Sequence, residues 1–305
     1  MSQLVIKDQI PRQELLTSGH LACPGCGGAL AMRLVLKAMG PQTMVVLPAC
    51  CWSIIAGPFP QSSLRVPLYH TAFETGAAVA SGIRAALAVR GDDETRVMVW
   101  AGDGGTFDIG LQALSGAAER GEDILYFCYD NEAYMNTGIQ HSGATPWGAW
   151  TTTTPADQPA SSPKKDMLAI MAAHQIAYAA TASVGYPVDL VRKVEKARGI
   201  RGTRFIHILA PCPAGWKFPD ELSVEVARLA VQSRMFPLLE VERGVSWRLS
   251  PESAEGDGTD PDVALRKYLE AQGRFRHFRP EHLEHMRAEI ERRWALLMKR
   301  VALSE

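Results

Sequence analysis

Apolar residues run along this chain in short stretches, most of which end at a glycine, a proline or a carboxylate. The stretch 97–101 stops at Gly102-Asp103-Gly104-Gly105, and residues 106–119 then carry apolar positions at helical spacing. That pattern predicts strand, tight turn, helix. A second stretch, 124–129, delivers Asp130 and Asn131 at its end. A right-handed crossover sets the carboxyl ends of two such parallel strands side by side, so Asp103 and Asn131 are expected to face one crevice.

The remaining pattern extends this unit in both directions. Residues 29–39 predict a helix that stops at Gly40, 44–47 a strand, and 77–89 a helix whose small residues allow close packing on a sheet. Residues 140–165 lose all periodicity, and a loop of that length in a compact domain usually carries function; it is expected to cover the site or meet a partner. Helix, strand, helix and strand follow at 167–174, 177–183, 188–197 and 204–209. Around Arg243-Gly244 two short strand-like segments predict a hairpin, and residues 260–270 and 280–301 predict amphipathic helices. The expected fold is α/β, a doubly wound and mostly parallel sheet with a C-terminal hairpin and helical extension. Residues 1–234 are expected to form the sheet domain and 235–305 a docking arm for another subunit.

Composition narrows the function by exclusion. The chain has 305 residues, is 47% hydrophobic and 21% charged, and its net charge of −1 gives no electrostatic basis for binding nucleic acid. Residues 1–12 lack the apolar core of a secretory signal, and no stretch has the length of a membrane span. A cytoplasmic location is expected, where the six cysteines are thiols or ligands more readily than disulfides. Cys23-Pro24-Gly25-Cys26 alone reads as a redox dithiol, half a zinc site or half an iron-sulfur site. Cys50, Cys51 and Cys212 lie on further loops, which favours a four-thiolate metal site, while Cys128 sits in an apolar strand and reads as core.

The carboxylate and amide at the two strand ends suit Mg²⁺, which takes hard oxygen ligands and completes its shell from phosphate. Gly102-Asp103-Gly104 followed by Asn131 and by Tyr134-Met135-Asn136-Thr137-Gly138 resembles the thiamine diphosphate motif of the beta subunit of 2-oxoacid:ferredoxin oxidoreductases such as pyruvate synthase. The resemblance runs from Gly19 to about residue 278. It implies a sheet of the thiamine diphosphate-binding type with Mg²⁺ held by Asp103, Asn131 and the Ala133 carbonyl. It also implies a cofactor site drawn from Gly102, Asp103, Gly104, Gly105, Asn131, Ala133, Tyr134, Met135, Asn136, Thr137, Cys51, Trp52, Ser53, His70 and Glu74. Asn136, Thr137 and His70 would stand nearest the chemistry, and Ile139 and Gln140 would begin the covering loop. For His70 and Glu74 the plain alternative is a solvated helix start.

By the same resemblance a [4Fe-4S] cluster is held by Cys23, Cys26, Cys51 and Cys212. Cys50 rivals Cys51, which is preferred because Trp52-Ser53-Ile54 follows it. The implied reaction is reversible oxidative decarboxylation of a 2-oxo acid to acyl-CoA and CO₂, with coenzyme A as co-substrate and electrons passing through the cluster to ferredoxin. Pyruvate is the expected substrate, with a branched or aryl 2-oxo acid such as phenylglyoxylate as the alternative. The implied partners are an alpha subunit carrying the pyrimidine-binding half and its activating Glu, and gamma and delta chains or fused equivalents, the delta type with two further [4Fe-4S] clusters. A dimer of such hetero-oligomers is implied. Two rival readings stay open: a non-oxidative thiamine diphosphate enzyme, which needs no thiolates, and a four-thiolate zinc scaffold without chemistry.

Overall fold

A computed structural model describes residues 9–256 and 258–304, so the reading of the first eight residues lies outside it. Eight strands form one sheet among the described residues: β1 Thr43–Pro48, β2 Leu68–Thr71, β3 Arg96–Gly102, β4 Leu125–Asp130, β5 Tyr178–Ser183, β6 Arg204–Leu209, β7 Leu239–Glu242 and β8 Ser246–Leu249. Their order is β2-β1-β3-β4-β6-β5-β7-β8, with the first six parallel and the last two antiparallel. The strands read as apolar runs because both faces are covered. Along β3, Met98 and Trp100 join the core beneath helices Gly27–Met39 and Pro187–Gly199. Val97, Val99 and Ala101 join the core beneath Gly76–Val89 and Leu111–Glu119.

Strand order changes direction between β1 and β3, since β2 lies on one side of this pair and β4 on the other. In an open α/β sheet such a point leaves a crevice outside the carboxyl ends of the strands. β1 runs out into Ala49-Cys50-Cys51 and β3 into Asp103. Two chemical motifs of the sequence therefore start from neighbouring strand ends.

Two expectations need correction. The segment after Asp103 does not begin as an α-helix: Gly104–Ile109 forms a π turn before the helix Leu111–Glu119. A Cβ on Gly110 would fall 2.0 Å from the Gly105 carbonyl oxygen, so the wide turn depends on glycine there. Nor do residues 235–305 form a separate arm. β7 and β8 extend the same sheet, and Val226 and Leu229 share a core with Leu265, Tyr268, Met286 and Ile290 across the 234/235 boundary. No helix among the described residues is long and apolar enough to cross a membrane.

A buried lysine ties helix Pro187–Gly199 to the sheet. Lys193 Nζ is 2.6 Å from Asp189 and donates to the Thr181 carbonyl at 2.8 Å, with both side chains fully buried. Lys193→Ala is expected to lower stability by about 3–5 kcal/mol, because Asp189 keeps a buried charge with less to neutralise it. Denaturant unfolding at pH 7 measures this.

Candidate cofactor and metal site

Asp103, Asn131 and Ala133 are buried and converge at the ends of β3 and β4. The end of the Asn131 amide that points into the crevice is 3.0 Å from Asp103 Oδ1 and 3.1 Å from the Ala133 carbonyl oxygen, and it is placed as oxygen. In that orientation three oxygens meet. Turning the amide over would let its nitrogen bond both neighbours, yet the all-oxygen arrangement is the one a cation needs. Ligands at right angles on Mg²⁺, each about 2.1 Å from the ion, lie about 3 Å apart. The donor set thus fits Mg²⁺ in chemistry and spacing, with the remaining positions open toward the cavity.

Burial, and then the nearby Asp130 charge, push the Asp103 carboxyl well above its usual range, although Ser142 Oγ donates to it at 2.5 Å. Asp130 behaves oppositely: burial alone would raise it, but Lys164 and His207 outweigh burial and hold it at about 2. Mg²⁺ requires the Asp103 carboxylate, so binding displaces a proton below the raised value. The unfolded chain releases that proton near 3.8, so this group lowers the stability of the cation-free protein as pH rises from 3.8 to the raised folded value. The thermal shift given by Mg²⁺ with thiamine diphosphate is therefore expected to grow with pH across that window and then level. A shift independent of pH, or one that keeps the same pH dependence in Asp103→Asn, would contradict the assignment.

A cavity of about 200 Å³ lies beside the oxygens. Gly102, Gly104, Gly105, Tyr134, Met135, Asn136 and Thr137 line it. A Cβ on Gly104 would stand 2.5 Å from the Tyr134 ring, so glycine lets that ring close the wall. Asn136 and Thr137 are exposed at the mouth, and Thr137 Oγ1 donates to Gln140 Oε1 at 2.6 Å.

Four of the expected lining residues are elsewhere. His70 and Glu74 are exposed, and the residue between them that lines the cavity is Phe73, edge-on to Tyr134 at 5.9 Å. Trp52 is fully buried against Trp100. Ser53 caps the short helix Cys51–Ile55, its Oγ accepting from Cys50 N at 3.1 Å. Cys50 and Tyr129, which sequence reasoning left out, line the cavity, and the Tyr129 hydroxyl bonds Cys50. Ser142 was also missed; a serine in an aperiodic loop carries no signal that it reaches a carboxylate.

Loop 140–165 lies over the site. Asp108 accepts from Gly143 N at 3.0 Å and from the Tyr134 hydroxyl at 2.8 Å, and pairs with Lys165 at 2.7 Å. Together with Ser142 on Asp103, these contacts fasten the loop to both walls of the cavity.

The thiols gather on the neighbouring side. The backbone N–H of Gly27, next to Cys26, donates to the carbonyl of Pro211, next to Cys212, at 3.1 Å. Burial and then the charges of Cys50, Cys212 and Cys26 push the Cys51 thiol far up, and burial followed by Cys26 and Cys23 pushes Cys212 up to about 11. Desolvated thiols that raise one another are relieved by a cationic centre, which binds them as thiolates. Among the described residues no group of three His, Cys, Asp or Glu side chains is placed to hold a metal ion. Cys51 and Cys212 each lie within the electrostatic reach of Cys26, and Cys212 also within that of Cys23, so the four thiols come from three segments of one neighbourhood. Met135 joins the two regions. It lines the cavity, and its Sδ would lie 2.3 Å from a Cβ on Gly215, whose N–H donates to Cys212 Sγ at 3.4 Å.

Residues 51–208 match the family described as thiamine pyrophosphate enzyme, C-terminal TPP binding domain. The chain is 49% identical over 298 residues to the ketoisovalerate oxidoreductase subunit VorB of Pyrococcus furiosus, covering 95% of this chain and 94% of that one. It is 48% identical over 299 residues to the pyruvate synthase subunit PorB of Methanocaldococcus jannaschii, covering 95% and 98%. Among solved structures, the 2-oxoglutarate:ferredoxin oxidoreductase of Magnetococcus marinus shares the fold, with a TM-score of 0.57 at 21% identity over 72% of this chain and 81% of that one. Likeness to VorB and PorB along nearly the whole length, together with the matched cofactor domain, establishes that this chain belongs to the thiamine pyrophosphate-binding subunits of the 2-oxoacid oxidoreductases.

Proposed function

We propose that this chain is the diphosphate-binding beta subunit of a coenzyme A-dependent 2-oxoacid:ferredoxin oxidoreductase, holding Mg²⁺ and a [4Fe-4S] cluster. The observation that carries the reading is the contact of the cofactor cavity with the thiol segment through Met135 and Gly215. Asp103, Asn131 and the Ala133 carbonyl hold Mg²⁺ and through it the diphosphate. The π turn Gly104–Ile109 starts beside Asp103, where its first backbone N–H groups would meet the same anion. Phe73, Tyr129 and Tyr134 wall the cavity and limit water, and loop 140–165 closes over it. Thiamine diphosphate supplies the nucleophilic carbon and the electron sink for loss of CO₂. Cys23, Cys26, Cys51 and Cys212 would hold the cluster, which would supply one-electron acceptance.

No pyrimidine-binding half with its activating Glu is found in the single sheet of the described residues. The proposal therefore includes an alpha subunit that supplies it, and gamma and delta chains that pass electrons to ferredoxin. Pyruvate is the proposed substrate. A second reading, 2-oxoisovalerate, is favoured by the 49% identity to a ketoisovalerate oxidoreductase subunit.

The test is the complex purified anaerobically with its partners. It should contain iron, sulfide and thiamine diphosphate, and should reduce ferredoxin with coenzyme A and pyruvate. A higher kcat/KM for 2-oxoisovalerate or phenylglyoxylate would reassign the substrate. Thiamine diphosphate with decarboxylation but no iron would replace the reading by a non-oxidative enzyme, and zinc without thiamine diphosphate by a scaffold.

A further inference from the structure

Between Asn131 and Ala133 stands Glu132, whose carboxylate meets Lys164 and Arg274. Its φ of 63° lies in the left-handed region, which ordinary side chains avoid unless their surroundings hold them there. Those surroundings come from two distant segments. Lys164, from the covering loop, places Nζ 2.7 Å from Glu132 Oε1 and also pairs with Asp130. Arg274, from the C-terminal segment, places Nη2 2.6 Å from Glu132 Oε2; that contact is not aligned as a hydrogen bond and acts through charge. All three side chains are shielded, with Glu132 and Arg274 only 4% and 2% exposed.

The same groups grip the backbone of the metal loop. The Arg274 guanidinium lies 3.8 Å over the Trp216 ring, and Trp216 Nε1 donates to the Asn131 carbonyl at 2.7 Å. Thr145 Oγ1 donates to the Glu132 carbonyl at 2.8 Å. These contacts, with the Glu132 N–H donating to Asp130 Oδ1 at 2.9 Å, hold the backbone reversal at Glu132 that sets Asn131 and Ala133 on one side.

We infer that Glu132 is a positioning residue for the cation site, clamped by Lys164 and Arg274, so that the covering loop and the C-terminal segment are working parts of that site. The inference rests on the proposed assignment of Mg²⁺ to Asp103, Asn131 and Ala133.

The experiment measures Mn²⁺ affinity at saturating thiamine diphosphate by electron paramagnetic resonance, using the anaerobically purified complex. Glu132→Gln and Arg274→Met are expected to weaken Mn²⁺ binding about 10- to 100-fold, the range for groups that orient metal ligands. Iron content should stay unchanged, and so should thiamine diphosphate affinity once Mn²⁺ is saturating. Arg274→Lys should recover part of the loss. Glu132→Gln combined with Arg274→Met should cost less than the product of the single effects, because both act on one contact. Wild-type Mn²⁺ affinity in assembled Glu132→Gln or Arg274→Met overturns the inference. Should Glu132→Gln fail to assemble, Arg274→Met and Arg274→Lys decide it, and equal affinities overturn it. Wild-type affinity in Asp103→Ala instead overturns the metal assignment itself, a result distinguishable from the others.

Discussion

Asp103→Ala is expected to abolish retention of thiamine diphosphate and Mg²⁺ while leaving the iron in place. Among the three oxygen donors only Asp103 carries charge, since Asn131 offers an amide and Ala133 a carbonyl. Removing it leaves two neutral ligands facing a divalent ion. Changing even a group that only orients a ligand costs about 10- to 100-fold in affinity, so loss of the sole anionic ligand should exceed 100-fold, and turnover of the complex should fall with it. Asp103→Asn refines the test. It keeps the volume and removes the buried charge that Asp103 can otherwise acquire, and it should raise the melting temperature of the cofactor-free protein at pH 8 while losing Mg²⁺ affinity like Asp103→Ala. Bound thiamine diphosphate, Mn²⁺ titration and iron content on one sample read all three effects. Retained cofactor in Asp103→Ala, or iron lost together with the cofactor, would show that the carboxylate does not do this work.

Asp103 and Asn131 were legible because an apolar run broken by Gly-Asp-Gly can hardly end anywhere but at a strand's carboxyl edge, and a crossover then sets the next strand beside it. A doubly wound sheet implies a reversal of strand order, but its position between β1 and β3 was not legible, since hydrophobic pattern says little about which strands are neighbours. The same limit explains His70 and Phe73. A turn after a short strand can present either residue inward, and only packing of the Phe73 ring against Tyr134 and Gly105 decides it. Trp52 was drawn into the site by its place beside Cys51, yet one residue along a helical turn is enough to send a side chain into the core beside Trp100. The C-terminal helices were found as amphipathic, and their apolar stripes were assigned to an absent partner. Helix Ser223–Gln232 in fact receives Leu265 and Leu269. Glu132 was unreadable for a different reason: its partners, Lys164 and Arg274, come from a loop without periodicity and from a segment taken to lie outside the domain.

The adjacent thiols Cys50 and Cys51 give the other large effect. Cys50 is committed to the fold and the cofactor cavity: its side chain accepts from Ser53 N to start the short helix, receives the Tyr129 hydroxyl and borders Gly102. Cys51, one position on, also borders the cavity and lies in the field of Cys50, Cys212 and Cys26. The two thiols differ in that Cys50 is the extended N-cap, bonded to Ser53 and Tyr129, whereas Cys51 is the first helical residue. Cys51→Ala is therefore expected to lose most of the cluster iron and sulfide and the dithionite-bleachable colour, and to stop ferredoxin reduction, while still binding thiamine diphosphate with Mg²⁺. Cys50→Ala should keep its iron and lose about 1 kcal/mol of stability with the cap. The reverse result, iron lost from Cys50→Ala and kept in Cys51→Ala, would hand the third ligand to Cys50. The helix would then have to start one residue earlier, giving up the reciprocal bonds between Cys50 and Ser53, and the Tyr129 hydroxyl would have to find another partner in the cavity wall. A cluster ligand at Cys50 is thus a claim about the whole β1 carboxyl end, and iron analysis of the two variants decides it.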